Sequence, residues 1–266
     1  DSWSLLLPTS HIAGLNVLAR ATALGTKVID NRNVSSYIDA DFISIVPTQL
    51  HRALNGDKKL LEHLRAAEAV LVGGGAITDA LSKKAVTEDV KIVSTYGMTE
   101  MCGGCVYNQK PLDGVEIQID PTGLVKLRGP MMATTYLNDL TSWNNLTRDG
   151  WFLSSDLGEF TDGKLKIIGR ADDVIKSGGE KISLVDIEER FQRLFPGVEV
   201  VAFGKPDAEW GEKLCIAVTS NISLTDVQGK LTGINSPKEI FVLQQIPRTA
   251  LGKVDRKELA KLVIGN

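Results

Sequence analysis

Short runs of β-branched residues alternate with stretches of helical spacing over the first third of the chain. Between two of these runs, Leu81 and Ala85 lie four residues apart and share one face of a predicted helix. Because strand, helix and strand follow one another at this spacing, the sequence predicts parallel βαβ units. The runs are KVID (27–30), FISIV (42–46), AVLV (69–72) and KIVS (91–94).

The pattern changes near Val115, where short alternating strands replace the βαβ units. The runs are VEIQID, GLVKLRG and KLKIIG, and they are punctuated by Pro-Thr-Gly and Asp-Gly. Asp162-Gly163, directly before KLKIIG, predicts a tight hairpin turn. This middle region is predicted to be antiparallel or barrel-like. After Gly169 the sequence predicts compact α+β structure, with Ser183 capping a helix.

These patterns predict an α/β chain of two domains. We expect residues 1–168 to form a large α/β domain with a β-rich subdomain, and residues 169–266 to form a small α+β domain. The 266 residues suit about two domains, since a domain takes roughly 100–200 residues. An apolar fraction of 43% supplies enough side chains for two cores.

The charge balance and the cysteines limit the partners and the compartment. Thirty basic and 33 acidic residues leave a formal charge of −3, which gives no electrostatic reason to expect nucleic acid or an anionic membrane. No apolar run approaches the roughly 18 residues of a membrane span. Three cysteines favour a reducing cytoplasm, and the single CxxC of Cys102 and Cys105 lacks the four ligands of a zinc site. We therefore expect a cytoplasmic protein that binds neither nucleic acid nor a membrane.

Two polar segments follow predicted strands directly, at the edge where open α/β sheets bind ligands. GGGA (73–76) lets a backbone approach a ligand closely, although a plain tight turn fits equally well. STYGMTEMCGGC (94–105) is predicted to be a loop, in which Tyr96 offers a ring for stacking on a base. Thr99 offers a hydroxyl to phosphate, and Glu100 offers an oxygen ligand to Mg²⁺. The alternative is a polar loop in which these two residues serve only as caps.

Later segments carry further candidates. Asp156 lies between apolar strand positions, where a carboxylate can accept the hydroxyls of a ribose or can belong to an ordinary turn. GRADDVIKSGGEKI (169–182) falls at the predicted domain boundary, where Arg170 can reach a ribose or a phosphate and Ser177-Gly178-Gly179 is predicted to be a pliable loop. The alternative is a charged linker with a glycine-rich turn. Lys253 is a compact charge on a flexible stem, although most single lysines are solvated surface residues.

Six motifs occur in an order that resembles the adenylate-forming superfamily of acyl-CoA synthetases, peptide-synthetase adenylation domains and luciferases. They are PTSHIAGL, GGGA, YGMTE, SSD, GRADDVIKSGGEKI and PRTALGK. The resemblance implies that ATP activates a carboxylate as an acyl-adenylate and that coenzyme A then displaces AMP. Within the family, the run from GGGAI to SGGEKI most resembles the ligases of menaquinone biosynthesis that activate 2-succinylbenzoate.

The resemblance also implies a role for each matching residue. His11 guards the acyl pocket, Thr99 touches phosphate, Glu100 holds Mg²⁺, and Lys253 stabilises the charge that develops during adenylation. Asp172 is the hinge of a mobile small domain, whose rotation withdraws Lys253 and delivers SGGEK to the coenzyme A tunnel. The implied nucleotide- and cofactor-binding residues are Gly73, Gly74, Gly75, Tyr96, Gly97, Thr99, Asp156, Arg170, Asp172, Lys176, Gly178 and Gly179.

The chain departs from the family pattern at its start and in one motif. The phosphate loop that the family carries upstream of PTSHIAGL has no match, so we expect an upstream segment and an incomplete large domain. The aromatic-Arg-Thr-Gly-Asp motif appears as Phe-Leu-Ser-Ser-Asp. No arginine stands out for the second carboxylate of 2-succinylbenzoate. Another acyl- or aryl-CoA ligase and a non-catalytic adenylate-binding module stay open as alternatives, as does a homodimer.

Overall fold

A mostly parallel sheet organises the first of the two units into which the chain divides, Asp1–Ile168 and Gly169–Asn266. The computed structural model describes residues 1–248 and 254–264. The strands of this sheet are β1 (Ser2–Leu5), β2 (Lys27–Asp30), β3 (Phe42–Ile45), β4 (Ala69–Gly73), β5 (Ile92–Met98), β6 (Gly103–Tyr107) and β7 (Lys110–Pro111). They lie in the order β2-β1-β3-β4-β5-β6-β7, parallel from β2 to β5 and antiparallel beyond.

Helices cover both faces of this sheet. They are α1 (Ile12–Leu24), α2 (Pro47–Leu54), α3 (Lys58–Ala66) and α4 (Asp79–Thr87). On one face α1 packs against Trp3 and Leu5, whereas the other three helices bury Ile43 and Val70 on the opposite face. Because central parallel strands are buried on both sides, their sequences are nearly continuous apolar runs. Strands that these helices connect pair in parallel, so the predicted βαβ units are confirmed.

β5 continues beyond the predicted strand end at Ser94. The prediction of a loop here is wrong, because Tyr96 and Gly97 lie inside β5 and pair with β6. The chain turns back after the short 3-10 turn Thr99–Met101, so the antiparallel neighbour satisfies the backbone groups of the motif. Gly97 permits this pairing, since a Cβ atom there would lie 1.8 Å from the Gly103 carbonyl oxygen.

A second sheet completes the first unit. It comprises β8 (Glu116–Ile119), β9 (Leu124–Arg128), β10 (Thr147–Arg148), β11 (Trp151–Thr161) and β12 (Lys164–Arg170), accompanied by α5 (Leu140–Leu146). Its pairs β8–β9, β9–β11 and β10–β11 are antiparallel, as predicted. The turn of Asp162 and Gly163 has positive φ at both residues, 53° and 72°, which suits a two-residue hairpin. Phe152 of this sheet shares one core with Met101, so the two sheets pack together.

In its described part, the second unit has a sheet of five strands with a separate core on each face. Its strands are β13 (Val174–Ser177), β14 (Glu180–Ser183), β15 (Val200–Asp207), β16 (Gly211–Val218) and β17 (Glu239–Val242), and its helices are α6 (Leu184–Leu194), α7 (Leu224–Gln228) and α8 (Arg256–Ile264). Ala202 points to the core under α6, and the next residue, Phe203, points to the core under α8. Ser183 caps α6 by accepting a hydrogen bond from the Asp186 amide at 3.3 Å.

A tight hairpin takes the place of the pliable loop predicted at SGG. β13 and β14 pair antiparallel up to Ser177 and Glu180. Gly178 and Gly179 are the two turn residues, with φ values of 58° and 87°. Two positive φ values match the twist of the flanking strands, so the prediction of a pliable loop is wrong and the motif is a defined ribbon.

The predicted fold class is confirmed in outline. Mixed α/β structure is followed by a β-rich sheet and then by an α+β unit. Across residues 1–248 and 254–264, no helix combines the length and the apolar character that a membrane span requires.

Replacing Gly97 by alanine tests the close approach of β5 and β6. The new methyl group would collide with the Gly103 carbonyl, so we expect Gly97→Ala to lower the free energy of unfolding by about 1–3 kcal/mol or more. Gly169→Ala is the matched control, because a Cβ atom there meets nothing within 4 Å. Denaturant unfolding measures both variants, and equal stability of the two would contradict this account of the strand pairing.

Candidate active site

The glycine segment and the YGMTE motif lie side by side at the carboxyl edge of the first sheet. Gly73 ends β4 and pairs with Thr95 of β5, and the Thr95 hydroxyl donates to the Val72 carbonyl at 3.3 Å. Gly74 and Gly75 follow as exposed residues beyond the strand. Because the two strands are parallel neighbours, both motifs reach the edge at which open α/β sheets bind ligands.

Tyr96 and Asp156 are in direct contact although they belong to different sheets. The Tyr96 hydroxyl donates a hydrogen bond to Asp156 Oδ2 at 2.8 Å. Asp156 is buried on β11, with 9% of its surface exposed. Its amide donates to Ser154 Oγ at 3.1 Å, and the Ser154 hydroxyl in turn donates to the Val125 carbonyl at 2.8 Å. A ring suited to stacking and a buried carboxylate therefore lie together.

The environment of Tyr96 keeps its hydroxyl protonated. Burial raises the pKa of Tyr96 well above its ordinary value, and the negative charge of Asp156 and the hydrogen bond to it raise the pKa further. The phenol is thus a permanent donor toward the carboxylate, which fixes the orientation of both side chains.

Glu100 is held beside the second sheet by a tyrosine. It lies in the turn Thr99–Met101, where its carbonyl accepts from the Ala133 amide at 2.8 Å. Its carboxylate accepts a hydrogen bond from the Tyr136 hydroxyl. Burial of the Tyr136 hydroxyl is the larger cause, and this hydrogen bond the second, of a rise in the pKa of Tyr136 to about 12. Within the described residues, no cluster of three or more His, Cys, Asp or Glu side chains could hold a metal ion, so Glu100 would share a cation with ligand oxygens.

α1 carries His11 at its start and an unexpected arginine, Arg20, nearer its end. His11 is half-buried at the start of α1, where its carbonyl accepts from the Leu15 amide at 2.9 Å. Arg20 is half-buried, its Nη2 donates to the Tyr107 hydroxyl at 2.5 Å, and its guanidinium lies 5.7 Å from the centroid of Trp3. Arg20 belongs to none of the motifs predicted from the sequence, although it is the one charged residue within the helix sequence IAGLNVLARATAL. A single charge in an otherwise uncharged helix was the sequence signal that could have identified Arg20.

The remaining predicted residues belong to the second unit. Arg170 is the last residue of β12, and the backbone of Asp172 lies in the 3-10 turn Ala171–Asp173. Lys176 is an exposed residue of β13, followed by the Gly178-Gly179 turn. Lys253 lies outside the described residues.

The cysteines of the CxxC pair are both free thiols. Cys102 is exposed, whereas Cys105 is buried, and burial raises the pKa of the Cys105 thiol to about 11. Such a thiol is a poor metal ligand and a poor nucleophile at neutral pH.

Comparison with known proteins identifies the family. A family model described as AMP-binding enzyme matches residues 1–137, and the chain is 31% identical to a probable 2-succinylbenzoate–CoA ligase of Mycobacterium tuberculosis over 99% of its length. The chain belongs to the AMP-binding enzyme family. It is also 32% identical to the 2-succinylbenzoate–CoA ligase of Lactococcus lactis. It spans 75% of the mycobacterial protein and 62% of the lactococcal one. The expected family is confirmed.

Solved structures of related AMP-binding enzymes have the same fold. The o-succinylbenzoate CoA synthetase of Bacillus subtilis, in complex with its acyl-adenylate intermediate, superimposes with a TM-score of 0.81 at 25% identity. The match covers 97% of this chain and 60% of the Bacillus protein. The same enzyme with ATP and magnesium gives a TM-score of 0.80 at 26% identity, covering 97% of this chain and 61% of that one.

Removing the Tyr96 hydroxyl tests its bond to Asp156. Because the pKa of Tyr96 is higher in the folded than in the unfolded protein, its contribution to stability is complete below about pH 10 and is lost as pH rises toward the folded-state pKa. We expect Tyr96→Phe to lower the free energy of unfolding by about 1–3 kcal/mol at neutral pH.

The difference between this variant and the wild type should shrink above about pH 10, which denaturant unfolding across pH measures. Tyr37→Phe, in the same unit, controls for the loss of a hydroxyl elsewhere. A constant difference across this pH range would argue against the Tyr96–Asp156 bond.

Proposed function

We propose that the protein is an AMP-forming acid–CoA ligase acting on 2-succinylbenzoate in menaquinone biosynthesis. In the first step the carboxylate attacks the α-phosphorus of ATP, which forms the acyl-adenylate and releases pyrophosphate. In the second step the thiol of coenzyme A attacks the acyl carbon, loses its proton and displaces AMP, which forms the thioester. A reducing cytoplasm, with its coenzyme A pool, is the expected compartment.

The observation that carries this proposal is the contact between Tyr96 and Asp156. The ring and the buried carboxylate lie next to the glycine segment, at the carboxyl edge of the sheet. This arrangement suits an adenosine, whose base stacks on the ring of Tyr96 and whose ribose hydroxyls donate to Asp156. The names of the mycobacterial and lactococcal relatives support the same chemistry.

Glu100 and Thr99 suit the phosphates and the magnesium ion. Mg²⁺ is usually bound by one or two carboxylates together with substrate phosphate oxygens. The Glu100 carboxylate, oriented by Tyr136, provides such a ligand, and the exposed Thr99 hydroxyl lies one residue away. When bound, Mg²⁺ neutralises phosphate charge, while Tyr136 and the Ala133 amide hold Glu100 in position.

Arg20 is our candidate for the carboxylate of the substrate that does not react. 2-Succinylbenzoate has two carboxylates, so its pocket needs a cation for the second one. Arg20 is half-buried between aromatic rings, and no ion pair among the described residues includes it. Asn16, one helical turn before it, donates to the Cys102 carbonyl at 2.6 Å, so the same face of α1 follows the wall behind YGMTE.

An aryl-CoA ligase of different specificity is the second candidate. The chain is 28% identical to an indoleacetate–CoA ligase of Aromatoleum aromaticum, over 97% of its length and 58% of that protein. Indoleacetate has a single carboxylate and would leave Arg20 without an anionic partner. Arg20 therefore favours the dicarboxylate.

For the second unit we retain the roles that the family resemblance implies. Residues 1–168 are the large domain, and residues 169–266 are a small domain that moves about Asp172. Lys253 serves the adenylation step. The Gly178-Gly179 hairpin, with Lys176, serves thioester formation, and its defined geometry suits a wall for the narrow arm of coenzyme A. By the same resemblance Arg170 binds ribose, and in the first unit His11 guards the acyl pocket.

The test of this function is the product of each half-reaction. With 2-succinylbenzoate, ATP, Mg²⁺ and coenzyme A, we expect AMP and the 2-succinylbenzoyl thioester, measured by chromatography. Lys253→Ala should slow adenylation by about 10²–10³-fold but should spare thioester formation from supplied acyl-adenylate, and the exposed Lys83→Ala is the control. Activation of indoleacetate alone would refute the substrate, and AMP binding without pyrophosphate release would favour a non-catalytic adenylate-binding module.

The role of Arg20 predicts a defect that depends on the substrate. Arg20→Lys keeps the charge but loses the planar fork that binds a carboxylate through two hydrogen bonds. We expect the KM for 2-succinylbenzoate to rise about tenfold or more, with kcat little changed. Arg52→Lys, an exposed arginine paired with Asp57, is the control. Steady-state kinetics measure both parameters. An unchanged KM in Arg20→Lys would contradict the proposal that Arg20 binds the substrate.

A further inference from the structure

Three cations converge on a groove that lies wholly within the second unit. The groove has a volume of about 580 Å³, which falls within the range of small-molecule sites. Arg190 and Arg193 of α6 form one wall, and Lys230, Thr232 and Asn235 form the other. None of these residues belongs to a motif used by the proposed function.

Both walls of the groove are anchored in the same core. α6 is held by Ile187 and Phe191, which are fully buried, and the opposite wall is held by Leu231. The Leu231 amide donates to the Val227 carbonyl at 2.8 Å, directly after α7. The backbones of the two walls are thus kept at a defined separation, and the exposed side chains of Arg190, Arg193 and Lys230 extend from them.

The position of Lys230 is further fixed by an aromatic ring. Its ammonium lies 4.4 Å from the centroid of Phe195, within the range of a cation–π contact. This contact orients the charge without neutralising it, so the ammonium keeps its ability to bind an anion.

No ion pair neutralises the three cations of the groove in the described part of the second unit. Arg193 Nε donates to a backbone carbonyl, that of Glu189, at 3.3 Å, and no ion pair of residues 169–248 and 254–264 includes Arg190, Arg193 or Lys230. The carboxyl end of α6 favours Arg193, which lies in its last turn, but Arg190 lies further from that end and Lys230 lies on a different segment. The cluster also runs against the net charge of −3.

We infer that this groove binds the diphosphate group of a small molecule. Arg190 and Arg193 are three residues apart and so emerge on the same face of α6. Each guanidinium presents a planar fork that binds phosphate oxygens through two hydrogen bonds. Lys230 supplies a third charge from the facing wall, and Thr232 and Asn235 supply neutral donors. The charges therefore match an anion with two neighbouring phosphates.

Calorimetric titration of the whole 266-residue chain with inorganic pyrophosphate tests this inference. Because pyrophosphate could also bind near Glu100 through a shared Mg²⁺, the titrations are run with a chelator and no Mg²⁺, and the unsubstituted chain is the background. We expect Arg190→Gln, Arg193→Gln and Lys230→Gln each to weaken binding by about tenfold. Arg148→Gln, whose side chain is 94% exposed in the first unit, is the matched charge control and should bind as the background does. Thermal unfolding verifies that each variant is folded.

Three ligand arms define the chemistry and the result that would overturn it. Pyrophosphate and ADP represent two sources of a diphosphate group, and the tighter of them identifies the source. AMP, with one phosphate, should bind at least tenfold more weakly. Equal binding of pyrophosphate to background and groove variants overturns the inference, as does AMP binding as tightly as pyrophosphate. Tighter binding of poly-glutamate, lost in the same variants, would overturn it in favour of an acidic protein partner. These readouts do not depend on ligase activity.

Discussion

The hydrogen bond from Tyr96 to Asp156 links the two sheets of the first unit at the candidate active site. Tyr96 belongs to the mostly parallel sheet and Asp156 to the antiparallel sheet, and their side chains meet beside a core that both sheets share. With this contact, a stacking surface and an acceptor for hydroxyl groups have a fixed relation to each other, as a nucleoside requires.

Pairing with a neighbour on each side explains why the segment around Gly97 forms a strand. β5 provides the carboxyl-edge residues of a parallel sheet, and it also pairs antiparallel with β6. Both neighbours can approach because Gly97 has no side chain toward Gly103. The backbone of this segment is therefore held on two sides. Tyr96 is oriented by Asp156 of the second sheet, and Glu100 is oriented by Tyr136 of the segment between β9 and α5. Rigid support of this kind is typical of binding sites.

Local features were predictable from the sequence, and contacts between distant segments were not. The βαβ strands and the turn at Asp162 follow from β-branched runs and from residues that tolerate positive φ, both of which are local. The extension of β5 depends on pairing with β6, and the position of Arg20 depends on how α1 packs against Tyr107. Asp156 was recognisable as a candidate, but its contact with Tyr96 spans 60 positions along the chain.

The hairpin at Asp162 and Gly163 has a practical consequence for handling the protein. The residues around this tip are exposed, and a Cβ atom at Gly163 would meet nothing within 4 Å. The tip also lies between the strand that bears Asp156 and the strand that ends at Arg170. Exposed turns of this kind tolerate insertions well. An affinity tag placed there would thus leave each core intact. A fluorophore at the same position would respond to changes in either strand.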